Sequence, residues 1–105
     1  MSISQLDISS EHLAIVQHIL RQLVPSCEVW AFGSRVKGAA KPFSDLDLVI
    51  MSQQPLSLAL MASLQEVFSE SDLPWKVDIV DWSTTSPDFK AVIEQQKVKV
   101  QAVVF

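Results

Sequence analysis

Only two glycines occur in the 105 residues, Gly33 and Gly38, and they stand five positions apart. Glycine reaches positive φ without steric cost, so left-handed or very tight backbone is confined to this one stretch. The rest of the chain must fold from ordinary helices, strands and serine or proline turns. Function is therefore sought first around residue 33. Composition adds bounds. A 49% hydrophobic share and a net charge of −4 exclude disorder. The length suits one domain, expected to span residues 1–105, with a single core. A lone Cys27 excludes an internal disulfide framework and a Cys-rich zinc site. No apolar run approaches the roughly 20 residues of a membrane span. The opening MSISQLDISS has no basic region followed by an apolar stretch, so no secretory leader is expected and a cytoplasmic location is. The acidic balance argues against general nucleic-acid binding but allows a local basic patch.

Helices and strands alternate along the chain. Ser9–Leu23 reads as a helix with Ser9 or Ser10 as N-cap and a stripe of Leu13, Val16, Ile19, Leu20 and Leu23. Glu28–Phe32 reads as a strand, and Ser34–Ala40 as a short helix or loop. Asp45–Met51 is a second strand, Ser57–Phe68 a second long helix, and Lys76–Trp82 a third strand. Ser86 and Pro87 suit the start of a last helix. Its final turns, where KVKVQAVVF alternates, are also compatible with extended chain. The expected fold is α/β (α+β): a small mixed three-stranded sheet flanked by helices, in the order α-β-α-β-α-β-α.

Three features share residues 33–47. Gly33-Ser34 sits at a strand-to-helix turn, where a phosphate can approach free backbone N–H groups. Arg35, Lys37 and Lys41 form a basic island with no acidic residue between Glu28 and Asp45. Asp45 and Asp47, at i and i+2 on a strand, project to one face, and a hard divalent cation relieves their repulsion. Asp78 lies within an otherwise apolar strand, where a charge is costly unless paired or metal-bound. It could complete a metal site and accept a proton from an attacking hydroxyl. Asp81 competes for that place, but at the strand end it reads as solvated. Each feature alone has an ordinary structural explanation. Together they point to Mg²⁺-assisted phosphoryl or nucleotidyl transfer.

The stretch FGSRVKGAAKPFSDLDLVI resembles the signature of the DNA polymerase β-like nucleotidyltransferase superfamily: Gly-Ser, about ten residues, then Asp-x-Asp, with a third carboxylate on a later strand. Ten residues separate Ser34 from Asp45. The chain is most similar to the minimal nucleotidyltransferases, the MNT family, with every signature position filled by Phe32, Gly33, Ser34, Arg35, Gly38, Ser44, Asp45, Asp47 and Leu48. Asp78 matches the third carboxylate by its place in the order of elements. The resemblance implies a nucleoside triphosphate substrate, ATP foremost, and two Mg²⁺ ions. Gly33 and Ser34, with Arg35, Lys37 and Ser44, would bind the nucleotide. Asp45, Asp47 and Asp78 would hold metal and carry the catalysis. It further implies a small all-helical HEPN partner in a toxin–antitoxin couple, with AMP passed to a tyrosine of the toxin. A homodimer is the alternative assembly. Two other functions stay open: an antitoxin acting by binding alone, and a transferase acting on a small hydroxylated molecule such as an aminoglycoside.

Other conspicuous residues read as non-catalytic, with His12 and His18 on the surface or facing a partner. His12 and His18 are six apart and share no ligand face. Cys27 reads as a partly buried thiol, Trp30 and Trp82 as core or core edge, and Trp75 as the aromatic best placed for exposure. The apolar end Ala102–Phe105 reads as packing on the sheet, or else as a protein interface.

Overall fold

The structure, a computed structural model, describes residues 6–38, 41 and 43–103. Its longer helices begin where serines cap them. Ser9 accepts from the His12 amide at 3.2 Å and starts α1 (Ser10–Leu23), which buries Val16, Ile19 and Leu20. Ser57 accepts from the Leu60 amide and starts α3 (Leu58–Ser69), which buries Leu64 and Phe68. Ser86 accepts from the Phe89 amide, with Pro87 as the first residue of α4 (Pro87–Gln95). Between them α2 (Ser34–Lys37) is one turn long, ended by Gly38 in the left-handed conformation at φ 76°.

Four strands form one sheet in the order β3-β2-β1-β4. They are β1 (Glu28–Phe32), β2 (Leu46–Met51), β3 (Val77–Asp81) and β4 (Val98–Gln101). β1 runs antiparallel to β2 and β4, while β2 and β3 are parallel, joined by the α3 crossover. The mixed sheet and flanking helices match the expectation, but there are four strands rather than three. The last segment is helical only to Gln95; Val98 and Val100 then point into the core at 1% and 4% exposure while Lys99 faces solvent. Period-two burial on the free edge of β1 decides the outcome for this segment. Asp45 lies just before β2 rather than within it.

The two faces of the sheet are unequal. Val29, Ala31, Leu48, Ile50, Val77, Val98 and Val100 pack with α1 and α3 in the main core. The opposite face has a smaller cluster of Phe32, Val49 and Ile93 from α4, edged by Trp30, Met51, Val80 and Trp82. Lys97 and Lys99 lie over the Trp30 ring, whose indole N–H donates to Glu28 at 2.6 Å. Trp30 and Trp82 are thus core-edge residues, and Cys27 is half-buried. Trp75, expected to be exposed, is buried at 8%, packed under Arg35 and edge-on to His12. At the chain end Ala102 is exposed and Val103 half-buried; Val104 and Phe105 lie outside the described residues. Among the described residues no helix is long and apolar enough to cross a membrane.

Candidate active site

Gly33 joins β1 to α2 with φ 83° and ψ −155°, a conformation that only glycine adopts readily. A Cβ built there would overlap the Asp47 carboxylate and sit 3.2 Å from Asp47 Cγ. The turn and the β2 carboxylate are neighbours only because position 33 has no side chain.

Sheet register supplies the rest of the row. Phe32 pairs with Asp47 on one side, and Asp47 pairs with Asp78 on the other. Paired residues of adjacent strands project to one face, about 4.8 Å apart along the hydrogen-bonding direction. The row opens into a cleft of about 430 Å³ lined by Phe32, Gly33, Asp47, Asp78, Val80, Phe89, Val92 and Gln96. One wall is therefore acidic and the other, from α4, apolar. Phe89 meets Phe32 edge-on at 5.9 Å, yet Phe89 and Val92 remain 41% and 44% exposed at the lip.

Burial, then the charge of Asp78, then that of Asp45 push the Asp47 carboxyl up from 3.8 to about 6. Asp78 has an exposed ion pair with Lys76 at 3.6 Å. Asp45 and Asp47 have no hydrogen bond or ion pair among the described residues. Asp47 stands in the field of both Asp45 and Asp78, but the three form no closed cage: among the described residues no three His, Cys, Asp or Glu side chains are arranged to hold an ion. The donor set is nonetheless all hard oxygen and short of positive charge, which suits Mg²⁺ or Mn²⁺ rather than a softer metal.

The basic island is less uniform than its sequence implies. Ser34 opens α2 beside Gly33, and Lys41 is exposed. The Lys37 backbone is helical. Arg35, expected to face phosphate, is instead buried at 5% exposure. The Ser44 hydroxyl accepts from the Lys41 amide at 2.8 Å and closes the turn before Asp45. Phe89 and Val92 on α4, with Gln96 just past its end, were not among the expected site residues; their three- and four-residue spacing was the available sign of a cleft-facing stripe.

Asp81 is not solvated. It is 9% exposed and accepts from the Leu56 amide at 2.8 Å, from the Ser83 amide and hydroxyl, and from the Ser52 hydroxyl. Burial opposes its charge, but the Ser52, Leu56 and Ser83 donors outweigh burial and hold the carboxyl below its ordinary 3.8. It fastens the β2–α3 loop to the end of β3. Asp81→Ala leaves these donors unpaired, with an expected loss of about 2–4 kcal/mol. By thermal melting that is a fall of roughly 10 °C or more. The carboxylate's contribution is present above the ordinary 3.8 and is lost as pH falls through its lowered value.

A glycine turn facing carboxylates from two parallel strands, at the mouth of a small mixed sheet, defines a nucleotidyl-transferring enzyme. The chain belongs to the nucleotidyltransferase domain family, whose model matches residues 13–103. It is 60% identical over 100 residues to a Haemophilus influenzae protein named probable protein adenylyltransferase MntA, covering 95% of this chain and 88% of that one. A crystal structure of a toxin–antitoxin with AMP-PNP superposes with a TM-score of 0.74 at 22% identity, covering 87% of this chain and 73% of that one. A Shewanella oneidensis complex of a tri-AMPylated HEPN toxin with its MNT antitoxin gives 0.65 at 18%, covering 98% and 74%. These two structural likenesses establish the fold.

Proposed function

We propose that this chain transfers AMP from ATP to a hydroxyl of a small helical HEPN-type partner in the cytoplasm and so acts as its antitoxin. The observation that carries this reading is the row Gly33, Asp47, Asp78, in which burial and the neighbouring carboxylates hold the Asp47 carboxyl at about 6 beside a glycine turn. A protein that only binds its partner gains nothing from such crowding. The named activity of the 60% identical relative supports the acceptor class, and the AMP-PNP in the toxin–antitoxin structure that shares this fold supports the nucleotide.

Gly33 and Ser34 let the triphosphate approach the backbone at the start of α2, and Lys41 adds positive charge at the solvent side. Asp45 and Asp47 would hold Mg²⁺, with Asp78 completing the set; such an ion neutralises the carboxylates and polarises phosphate oxygens. Asp78, on the edge strand and only partly buried, takes the proton of the incoming hydroxyl. That oxygen bonds to the α-phosphorus as the bond to pyrophosphate breaks. Phe89 and Val92 give the cleft an apolar wall opposite the carboxylates.

The direct test combines the protein, Mg²⁺, α-labelled ATP and the product of the adjacent gene. Label is expected on the partner protein, and none without Mg²⁺. Calorimetry should show ATP binding at least about tenfold tighter with Mg²⁺ than without it. Equal affinity in both conditions, together with an unlabelled partner, would overturn the reading.

A further inference from the structure

The guanidinium of Arg35 is turned into the protein. Its Nε donates to the Ser44 carbonyl at 2.9 Å and its Nη1 to the Asp7 carbonyl at 2.9 Å, while Nη2 reaches the Lys41 carbonyl at 3.4 Å. Its Cζ lies 4.6 Å from the centroid of the Trp75 ring. The backbone doubles the link to the segment before α1, because the Asp7 amide donates to the Arg35 carbonyl at 2.7 Å. His12 of α1 meets Trp75 edge-on, with centroids 5.7 Å apart. One side chain thus ties together the segment before α1, the loop before β3 and the 41–44 turn.

That turn leads directly into Asp45. It is closed from within by the Ser44 amide on the Lys41 carbonyl at 3.0 Å and by the Lys41 amide on the Ser44 hydroxyl. Ser44's carbonyl belongs to the peptide group that carries the Asp45 nitrogen. Beyond Asp45, the Leu46 amide donates to the Lys76 carbonyl at 2.9 Å. Asp45 therefore hangs between two fastened peptide links, and its carboxylate has no hydrogen bond or ion pair of its own among the described residues. Its place beside Asp47 is inherited from its neighbours.

We infer that Arg35, stacked on Trp75, is a positioning residue that sets the Asp45 carboxylate beside Asp47 by fixing the Ser44–Asp45 peptide, and that it is not a nucleotide ligand. The inference rests on the reading of Asp45 as part of the transfer site. A planar guanidinium reaches several carbonyls while stacking on a ring; a lysine in its place keeps the charge but loses the fork. The difference between the two side chains is therefore geometric, and it acts on the chemical step rather than on binding.

Arg35→Lys should lower kcat about 30-fold, with KM and calorimetric affinity for Mg²⁺-ATP within about threefold of the parent protein. Amide hydrogen exchange at Ser44 and Leu46, whose N–H groups donate to the Lys41 and Lys76 carbonyls, should speed up about tenfold or more, while Val49 and Ile50 in the β1–β2 ladder keep their protection. Trp75→Leu should repeat the local exchange change in smaller measure, and it decides the matter should Arg35→Lys fail to fold. Weakened ATP affinity with kcat preserved would make Arg35 a phosphate ligand and overturn the inference. A uniform rise in exchange across the ladder would reduce it to an ordinary stability residue and overturn it equally. A parent protein that transfers no AMP defeats the proposed function alone, since the exchange comparison still judges the clamp.

Discussion

Asp47→Asn is expected to abolish transfer, by about 10³-fold or more, while raising the melting temperature of the metal-free protein near neutral pH. The Asp47 carboxyl is held at about 6 rather than 3.8, so the folded protein binds this proton more tightly than the unfolded chain does. Below the unfolded value both states are protonated and the site costs nothing. Between 3.8 and about 6 stability is lost as pH rises, and above about 6 the whole cost is present. The asparagine variant escapes that cost. Because the carboxylate is only half-buried, solvent screening reduces the gain to about 1 kcal/mol. In a domain of this size that is roughly 4–8 °C. Paired melts at about pH 7.5 and about pH 4, run without metal beside an activity assay, check it: the gain should be present at the first and absent at the second. A variant that melts lower at both would mean that Asp47 supports the fold rather than burdening it.

The two glycines should respond very differently to the same change. Gly33→Ala forces a Cβ into the Asp47 carboxylate and into a backbone conformation of φ 83°. A loss of about 2–3 kcal/mol is expected, with nucleotide binding removed. Gly38→Ala also meets positive φ, at 76°, but its Cβ would find nothing within 4 Å. It should cost about 1 kcal/mol and leave transfer intact. Melting curves and ATP calorimetry on the two variants make the comparison. Equal ATP affinity in folded Gly33→Ala and in the parent protein would remove the turn from the site.

Much of this architecture was legible because its signals are local. Ser9, Ser57 and Ser86 announce helix starts through side-chain acceptors three residues from their donors, and Pro87 can only begin a helix. The turn after β1 stood out because Gly33 is one of two glycines. What stayed hidden depends on partners distant along the chain. Asp81 looks like a solvated strand end until the Ser52 hydroxyl and the Leu56 amide, 29 and 25 positions away, are brought to it. Trp75 follows a proline in a loop, and nothing near it in the chain shows that Arg35 and His12 will cover it. Arg35 reads as one of three cations, and only the fold separates it from Lys41. β4 was blurred for another reason: no glycine or proline separates Gln95 from Val98, so helical and extended patterns run into each other. Strand order, with β1 at the centre beside β2 and β4, needs tertiary contacts that no local pattern encodes.

β2 carries two messages in alternate residues. Leu46, Leu48 and Ile50 belong to the main core, while Asp47 and Val49 face the cleft side. Inserting or deleting one residue within it would exchange the two sets, burying a carboxylate among aliphatic chains and presenting leucine to the cleft. Core and cleft therefore share a reading frame, and neither can be edited in length without rewriting the other. The exposed Gln53–Pro55 stretch carries no such parity. A lineage built on this domain is free to grow there, and a designer who wants to graft a new acceptor-binding segment should insert it there and leave the six residues of β2 untouched.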